Sequence, residues 1–289
     1  MTFAAHEPFG SYPLAGGVDV VGIPARVGTL TAFHAAPATN KGAVSRPAVL
    51  IIPGFSGSKE DFREFVPKLA GAEWDAWAYS QRGQADSAAP PGIDNYRAED
   101  LAADAVEVAG LISPERPVHL VGHSLGGVIA QNAAIMRPDR WASVTLLCSG
   151  PHGWPGRHDD TYDAVTAHGG EEVWRLGNPA LADLPDSELS TDDVFWRRRF
   201  RSTSDDNLRA GARLLRDHRD LTDELRATAL PFHVAHGEFD TAWPIDWQRE
   251  MAERLGATYS VLAGGEHSPQ FEAPDETLAA LTDFWSRCA

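Results

Sequence analysis

Short apolar runs alternate with longer amphipathic ones along most of this chain. Ala48-Val49-Leu50-Ile51-Ile52 has no polar residue, and a run so short and so apolar predicts a strand covered on both faces. Residues 75–79, 118–121, 142–147, 231–235 and 258–262 read as further strands. Residues 18–26 and 28–34 read as an edge hairpin joined by a short turn. Between the strands the period changes. In residues 59–69, Phe62, Phe65, Val66 and Leu69 share one helical face, with Ser58 placed to cap it. Residues 97–112, the apolar stretch after Ser124, residues 245–255 and residues 274–287 also read as helices. Residues 1–17 read as an irregular arm, and residues 35–47, with Pro37, Asn40, Gly42 and Pro47, as a loop.

Strand and helix in alternation predict a mostly parallel sheet with helices on both faces, here with eight strands. The alternation stops at about Pro151 and resumes near residue 229. The interval is charged, carries three tryptophans, and shows helical periodicity near 160–168, 191–201 and 206–218. The expected organisation is therefore an α/β core in two parts, 1–150 and 229–289, interrupted by a helical lid at 151–228.

Composition narrows the function. The 289 residues contain 25 Lys plus Arg against 41 Asp plus Glu, a formal charge of −16. A surface so acidic repels phosphate backbones and anionic bilayers, so neither nucleic acid nor a membrane is the expected partner. Cys148, at the end of an apolar run, is expected as a buried thiol, and Cys288 at a frayed end. These two cysteines form no disulfide framework or metal-binding spacing, and no basic-then-apolar leader or span of about 18 apolar residues appears. The expectation is a cytoplasmic monomer or homodimer that acts on a small molecule, without metal or cofactor.

The chemistry centres on Val118-His119-Leu120-Val121 running into Gly122-His123-Ser124-Leu125-Gly126-Gly127. A serine between strand and helix sits on a turn too tight for side chains at positions 122 and 126, and its hydroxyl faces the C-terminal edge of the sheet. A serine hydroxyl needs a base, and that base needs an orienting acid. Ligands of open α/β sheets bind at the carboxyl ends of the strands, so the partners should lie at later strand ends. Of eleven histidines, His267 fits: it follows the last strand within Gly264-Gly265-Glu266-His267-Ser268. His119, His233 and His236 lie in or beside strands and read as structural, whereas the His123 side chain should point away from Ser124. Asp240 follows the strand at 231–235 and reads as the acid, with Glu238 as its near competitor. An oxyanion hole requires two backbone N–H groups. Leu125, opening a helix, should supply one, and Phe55, after the strand at 48–52, the other, with Ser56 as the alternative.

Gly122-His123-Ser124-Leu125-Gly126-Gly127, His236-Gly237-Glu238-Phe239-Asp240, Gly264-Gly265-Glu266-His267 and the loop Arg82-Gly83-Gln84-Ala85-Asp86-Ser87 together resemble the α/β-hydrolase superfamily. Within it, the chain resembles the broad group of small serine esterases, cofactor-free haloperoxidase-like enzymes and methylesterases. The resemblance covers nearly the whole chain except the arm and the lid. It implies hydrolysis of a carboxylic ester of a small to medium, largely apolar substrate through an acyl-enzyme on Ser124. The same triad would serve a C–C bond hydrolase, thioesterase, lactonase or perhydrolase, and a binding protein of hydrolase descent is a third reading. Serine at the elbow, where epoxide hydrolases and haloalkane dehalogenases of this fold use aspartate, argues against those two. Three positions depart from the family: Pro53-Gly54 replaces the usual His-Gly, and Ser80 and Ala85 replace an aspartate and a glycine of the Arg-Gly loop. Trp154, Trp174, Trp196, Phe200 and Trp243 are candidates to line the substrate pocket. The arginines of 197–201 read as a solvated helix face.

Overall fold

The computed structural model describes residues 3–37 and 46–288. Residues 38–45 of the expected loop lie outside them. At the centre of the sheet lies β4 (Val49–Ile52), all four residues buried. Period-two geometry sends its side chains to opposite faces. Leu50 and Ile52 join one apolar cluster with helices α2 (Ala98–Ile112) and α3 (Leu125–Met136). Val49 and Ile51 join another with Phe65 and Leu69 of α1 (Phe65–Gly71) and Trp285 of α11 (Pro274–Ser286). A strand enclosed on both sides has no polar face to write into its sequence, which is why this run is uniformly apolar.

The remaining strands are β1 (Ala4–Ala5), β2 (Asp19–Ala25), β3 (Gly28–Ala35), β5 (Ala76–Tyr79), β6 (Val118–His123), β7 (Trp141–Leu147), β8 (Phe232–Gly237) and β9 (Thr258–Leu262). They form one sheet in the order β1-β2-β3-β5-β4-β6-β7-β8-β9. Pairing is antiparallel from β1 to the β3–β5 junction and parallel from β5 to β9. The sheet thus has nine strands rather than eight. The additional one, β1, is only two residues long and pairs Ala4 with Gly22 and Ala5 with Val21, too short to carry a readable alternation.

The helix expected at 59–69 is divided. A 3₁₀ turn at Lys59–Phe62 precedes α1. A continuous helix would need an N–H on Pro67 for the carbonyl of Arg63, and proline has none; in the first turn of a new helix that N–H is not required. Between β7 and β8 stand α4 (Asp159–His168), α5 (Gly170–Gly177), α6 (Thr191–Ser202), α7 (Asp205–Asp217) and α8 (Thr222–Ala227). α9 (Ile245–Leu255) and a short α10 (Pro269–Glu272) complete the helices. No helix among the described residues is long and apolar enough to cross a membrane.

The arginine cluster of α6 is divided: Arg198 and Arg201 are exposed, as a solvated face requires, whereas Arg197 and Arg199 are buried. Arg199 is 1% exposed, pairs with Asp61 and reaches Ser58 Oγ at 3.4 Å. Arg197 is buried and donates to Asp186 at 2.9 Å and to the carbonyls of Leu181, Ala182 and Leu184. Only a paired, hydrogen-bonded guanidinium is tolerated at that depth, and here the partners are supplied. The N-terminal arm packs on the same helix. Tyr12 and Phe9 meet Phe195 with ring centroids 4.6 and 6.0 Å apart, and Tyr12 bonds Asp192. Cys148 is a buried free thiol, and Cys288, rather than fraying, is half-buried against the second cluster.

Candidate active site

Gly122 and Gly126 make the turn around Ser124 sterically feasible. A Cβ on Gly122 would lie 2.3 Å from the Gly126 carbonyl oxygen, and one on Gly126 would lie 2.2 Å from that of Ile52. Ser124 itself adopts φ 55, ψ −121, a conformation that L-residues populate sparsely and that the surrounding packing must hold. Its N–H donates to Leu147 O of β7 at 2.9 Å, and its carbonyl accepts Gly127 N–H at 2.8 Å. The residue is 7% exposed.

His267 and Asp240 converge on it. His267 Nε2 is 3.0 Å from Ser124 Oγ, and His267 Nδ1 is 3.0 Å from Asp240 Oδ1. An ionised carboxylate only accepts, so the proton of the neutral imidazole resides on Nδ1 and leaves Nε2 free to accept the serine hydroxyl. Burial pushes the Asp240 carboxyl upward. The His267 bond and charge, the Ala242 N–H at 2.9 Å and the Gln248 amide at 3.1 Å more than offset this and hold it below the usual carboxylate range. Glu238, the competitor, is exposed and accepts the Gly264 N–H at 3.1 Å instead.

Phe55 and Leu125 stand side by side beneath α7: a Cβ on Gly211 would lie 2.8 Å from Phe55 Cδ2 and 3.2 Å from Leu125 Cδ2. Ser56 has φ 51 and lies within a turn closed by Gly57 N–H on Gly54 O at 3.2 Å. Trp243 joins Leu125, Val128 and Leu215 in a small apolar cluster that Phe55 borders, and its indole N–H donates to His152 O at 3.0 Å. Trp154 packs on Trp247, with centroids 5.5 Å apart. The other three aromatic candidates lie on α5 and α6. Trp174 is buried under the Arg197 guanidinium, Trp196 is 41% exposed, and Phe200 is half-buried. Among the described residues, no ring contact or hydrogen bond links these three to Ser124.

Gln248, Gln81 and Gln84 carry no sequence signal of a role in the site, whereas His123 is turned away as its elbow position predicts. Gln248 bonds the outer oxygen of Asp240. His123 is turned from Ser124 towards the base's own loop, and Nε2 donates to His267 O at 2.7 Å. Burial, with the neighbouring His267, lowers the His123 imidazole to about 4, so it stays neutral. Gln81 and Gln84 bond the carbonyls of Pro53 and Gly54. None of these has a periodic signature; each acts across a distance that only the fold closes.

His123, Cys148 and His267 offer ligand atoms within 4.8 Å of one another. Burial, and then the Asp240 charge, raise the Cys148 thiol well above its usual range, so it remains a protonated, weak ligand. A separate cavity of about 440 Å³ opens on the far side of α7, lined by Tyr96, Asn132, Ala210 and Leu214 among others and by none of Ser124, Asp240 and His267.

Known proteins are similar to this chain in sequence and in fold. The family profile described as alpha/beta hydrolase fold matches residues 47–274. Epoxide hydrolase A of Mycobacterium tuberculosis is 35% identical over 154 residues, 53% of this chain and about half (47%) of that enzyme. A pimeloyl-(acyl-carrier protein) methyl ester esterase of Aeromonas salmonicida is 28% identical over 189 residues, 62% of this chain and 74% of the esterase. The fold is similar to that of a thermophilic esterase from Thermogutta terrifontis, with a TM-score of 0.73 at 20% identity over 93% of this chain and 98% of the other. Fold, site geometry and family profile agree: this chain belongs to the alpha/beta hydrolase fold family of enzymes.

Proposed function

We propose that this hydrolase cleaves carboxylic esters of small to medium, largely apolar substrates through an acyl-enzyme on Ser124. The observation that carries the reading is the Ser124–His267–Asp240 chain, with its two 3.0 Å links. In the first half-reaction, Ser124 Oγ attacks the ester carbonyl while His267 Nε2 takes the hydroxyl proton. The negative charge moves to the carbonyl oxygen, which the N–H groups of Phe55 and Leu125 receive. As the tetrahedral intermediate collapses, the ester C–O bond breaks and His267 returns the proton to the departing alkoxide. Water then repeats the sequence on the acyl-enzyme and releases the acid. Asp240 stays ionised and holds the imidazolium.

Helices α4 to α8, within residues 151–228, act in this reading as a lid over the serine. The apolar wall around Leu125, Trp243 and Phe55 is the side that accepts substrate carbon. Serine at the elbow favours ester over epoxide despite the epoxide hydrolase among the relatives, because a serine ester is released by the same base that formed it.

Ser124→Ala should lower p-nitrophenyl ester turnover by at least about 10⁴-fold, with the far-ultraviolet circular dichroism unchanged. A fluorophosphonate should label the native chain on Ser124 and leave the variant unlabelled. Native protein that neither labels nor turns over any ester, thioester or lactone would overturn the proposal.

A further inference from the structure

We propose that Gln81 and Gln84 are positioning residues that orient the oxyanion-binding backbone after β4; the inference rests on the serine-hydrolase reading above. The loop there begins Pro53-Gly54 where the family resemblance implies His-Gly, so the orientation of its peptides must be fixed from elsewhere. Two buried side-chain amides do this. Gln81 Nε2 donates to Pro53 O at 3.0 Å, and Gln84 Nε2 donates to Gly54 O at 2.8 Å. Gln84 Oε1 accepts the Gln81 N–H at 3.0 Å, which fixes which end of that amide faces Gly54. The side chains are 2% and 1% exposed.

The local backbone is bent to deliver them. Gly83 and Ala85, on either side of Gln84, have φ 76 and 47, and the second is a strained value for alanine. Gln81 Oε1 is buried without a partner.

The geometric consequence follows from peptide planarity. In a trans peptide the C=O and the N–H point to opposite sides. Gly54 O receives both Gln84 and the Gly57 N–H. Those two donors fix the direction of the carbonyl, and the Phe55 N–H of the same peptide points opposite to it. Gly54 lies against the nucleophile, where an added Cβ would sit 3.0 Å from Ser124 Cβ. Among the described residues, the Phe55 N–H has no protein acceptor, as expected of a donor reserved for a ligand oxygen. Among the described residues the Ser56 N–H has no protein acceptor either; what marks Phe55 is that the carbonyl of its own peptide, Gly54 O, is the one held by Gln84.

The test uses the whole chain with Gln84→Met and, separately, Gln81→Met. Kinetics on p-nitrophenyl esters are normalised to sites titrated with a fluorophosphonate, which removes any difference in folded fraction. Losing one oxyanion donor outright costs roughly 10²–10³ in kcat, so loosening it should cost about 10- to 100-fold. KM should stay within about threefold. The affinity of a phenylboronic acid, whose tetrahedral serine adduct occupies the same hole, should fall by a factor matching kcat. Gln84→Glu supplies a donor to Gly54 O only as the carboxylic acid, so its kcat relative to the native chain should rise as pH falls. If the methionine variants do not fold, that pH trend alone decides. A kcat per labelled site within twofold of native, a kcat loss without a matching boronate loss, or a flat Gln84→Glu ratio overturns the positioning role. A native chain that does not label overturns the serine-hydrolase reading and this inference with it.

Discussion

Asp240 has two oxygens with different tasks. One faces His267; the other is held by the Gln248 amide. Gln248→Leu removes a hydrogen bond to a buried charge, an interaction worth about 1.5–3 kcal/mol, and lets the carboxyl rise from its lowered position. Because the proposed triad requires ionised Asp240, kcat/KM should fall by about 10-fold at neutral pH and by more towards acid. A pH–rate profile identical to that of the native chain would sink this assignment. Residues such as Ser124, Asp240 and His267 are legible in sequence because a strand end and a glycine announce each of them. Gln248, Gln81 and Gln84 are not. An amide that reaches a distant carbonyl leaves no periodic trace, and glutamine is an ordinary surface residue until the fold shows it buried.

Elements bounded by their own chemistry are read well, and elements bounded by tertiary contacts are not. Residues 245–255 and 258–262 coincide with α9 and β9, where Pro244 precedes one helix and Gly256 at φ 66 ends it. α5 and α8 were not distinguishable, being eight and six residues long with a glycine break ahead of the first. α6 misleads for a different reason: four arginines on a short helix look solvated unless the carboxylates waiting elsewhere are known. Arg199→Met should therefore strand Asp61 without its partner. Breaking a buried pair from one side costs about 3–5 kcal/mol, which the urea midpoint should register. Adding Asp61→Asn should recover part of that loss. If Arg199→Met leaves the midpoint unmoved, the ion pair does not anchor α6.

For the whole molecule, the parallel core and its interruption are legible because short, mostly apolar strands such as β4 alternate with helices on both sides of the gap. The acid response of the core is not. His119, His123 and His233 are buried in strands, and burial lowers each to about 4. His119 Nδ1 pairs with Ser143 Oγ at 2.8 Å and His233 Nε2 with Ser260 Oγ at 2.9 Å. An unfolded histidine titrates near 6.5, so between that value and about 4 the unfolded chain binds more protons than the folded one. Folding stability is complete above pH 6.5 and is lost as the pH falls through this window, by up to about 3 kcal/mol per histidine. Urea unfolding at pH 7.5 and pH 5 should show a clearly lower midpoint at pH 5; equal midpoints would contradict neutral buried imidazoles.

The N-terminal arm carries a consequence for anyone altering this enzyme. Phe9 and Tyr12 bear on Phe195, more than 180 residues later in the chain, and so help fix the helix that Arg199 ties to the core. A short deletion or a bulky fusion at the beginning of the chain therefore changes the packing of α6, one of the helices of the proposed lid. Libraries built to shift the substrate preference of the proposed esterase should therefore sample residues 9–12 together with the walls around Ser124, because α6 is braced by side chains far from it in the gene.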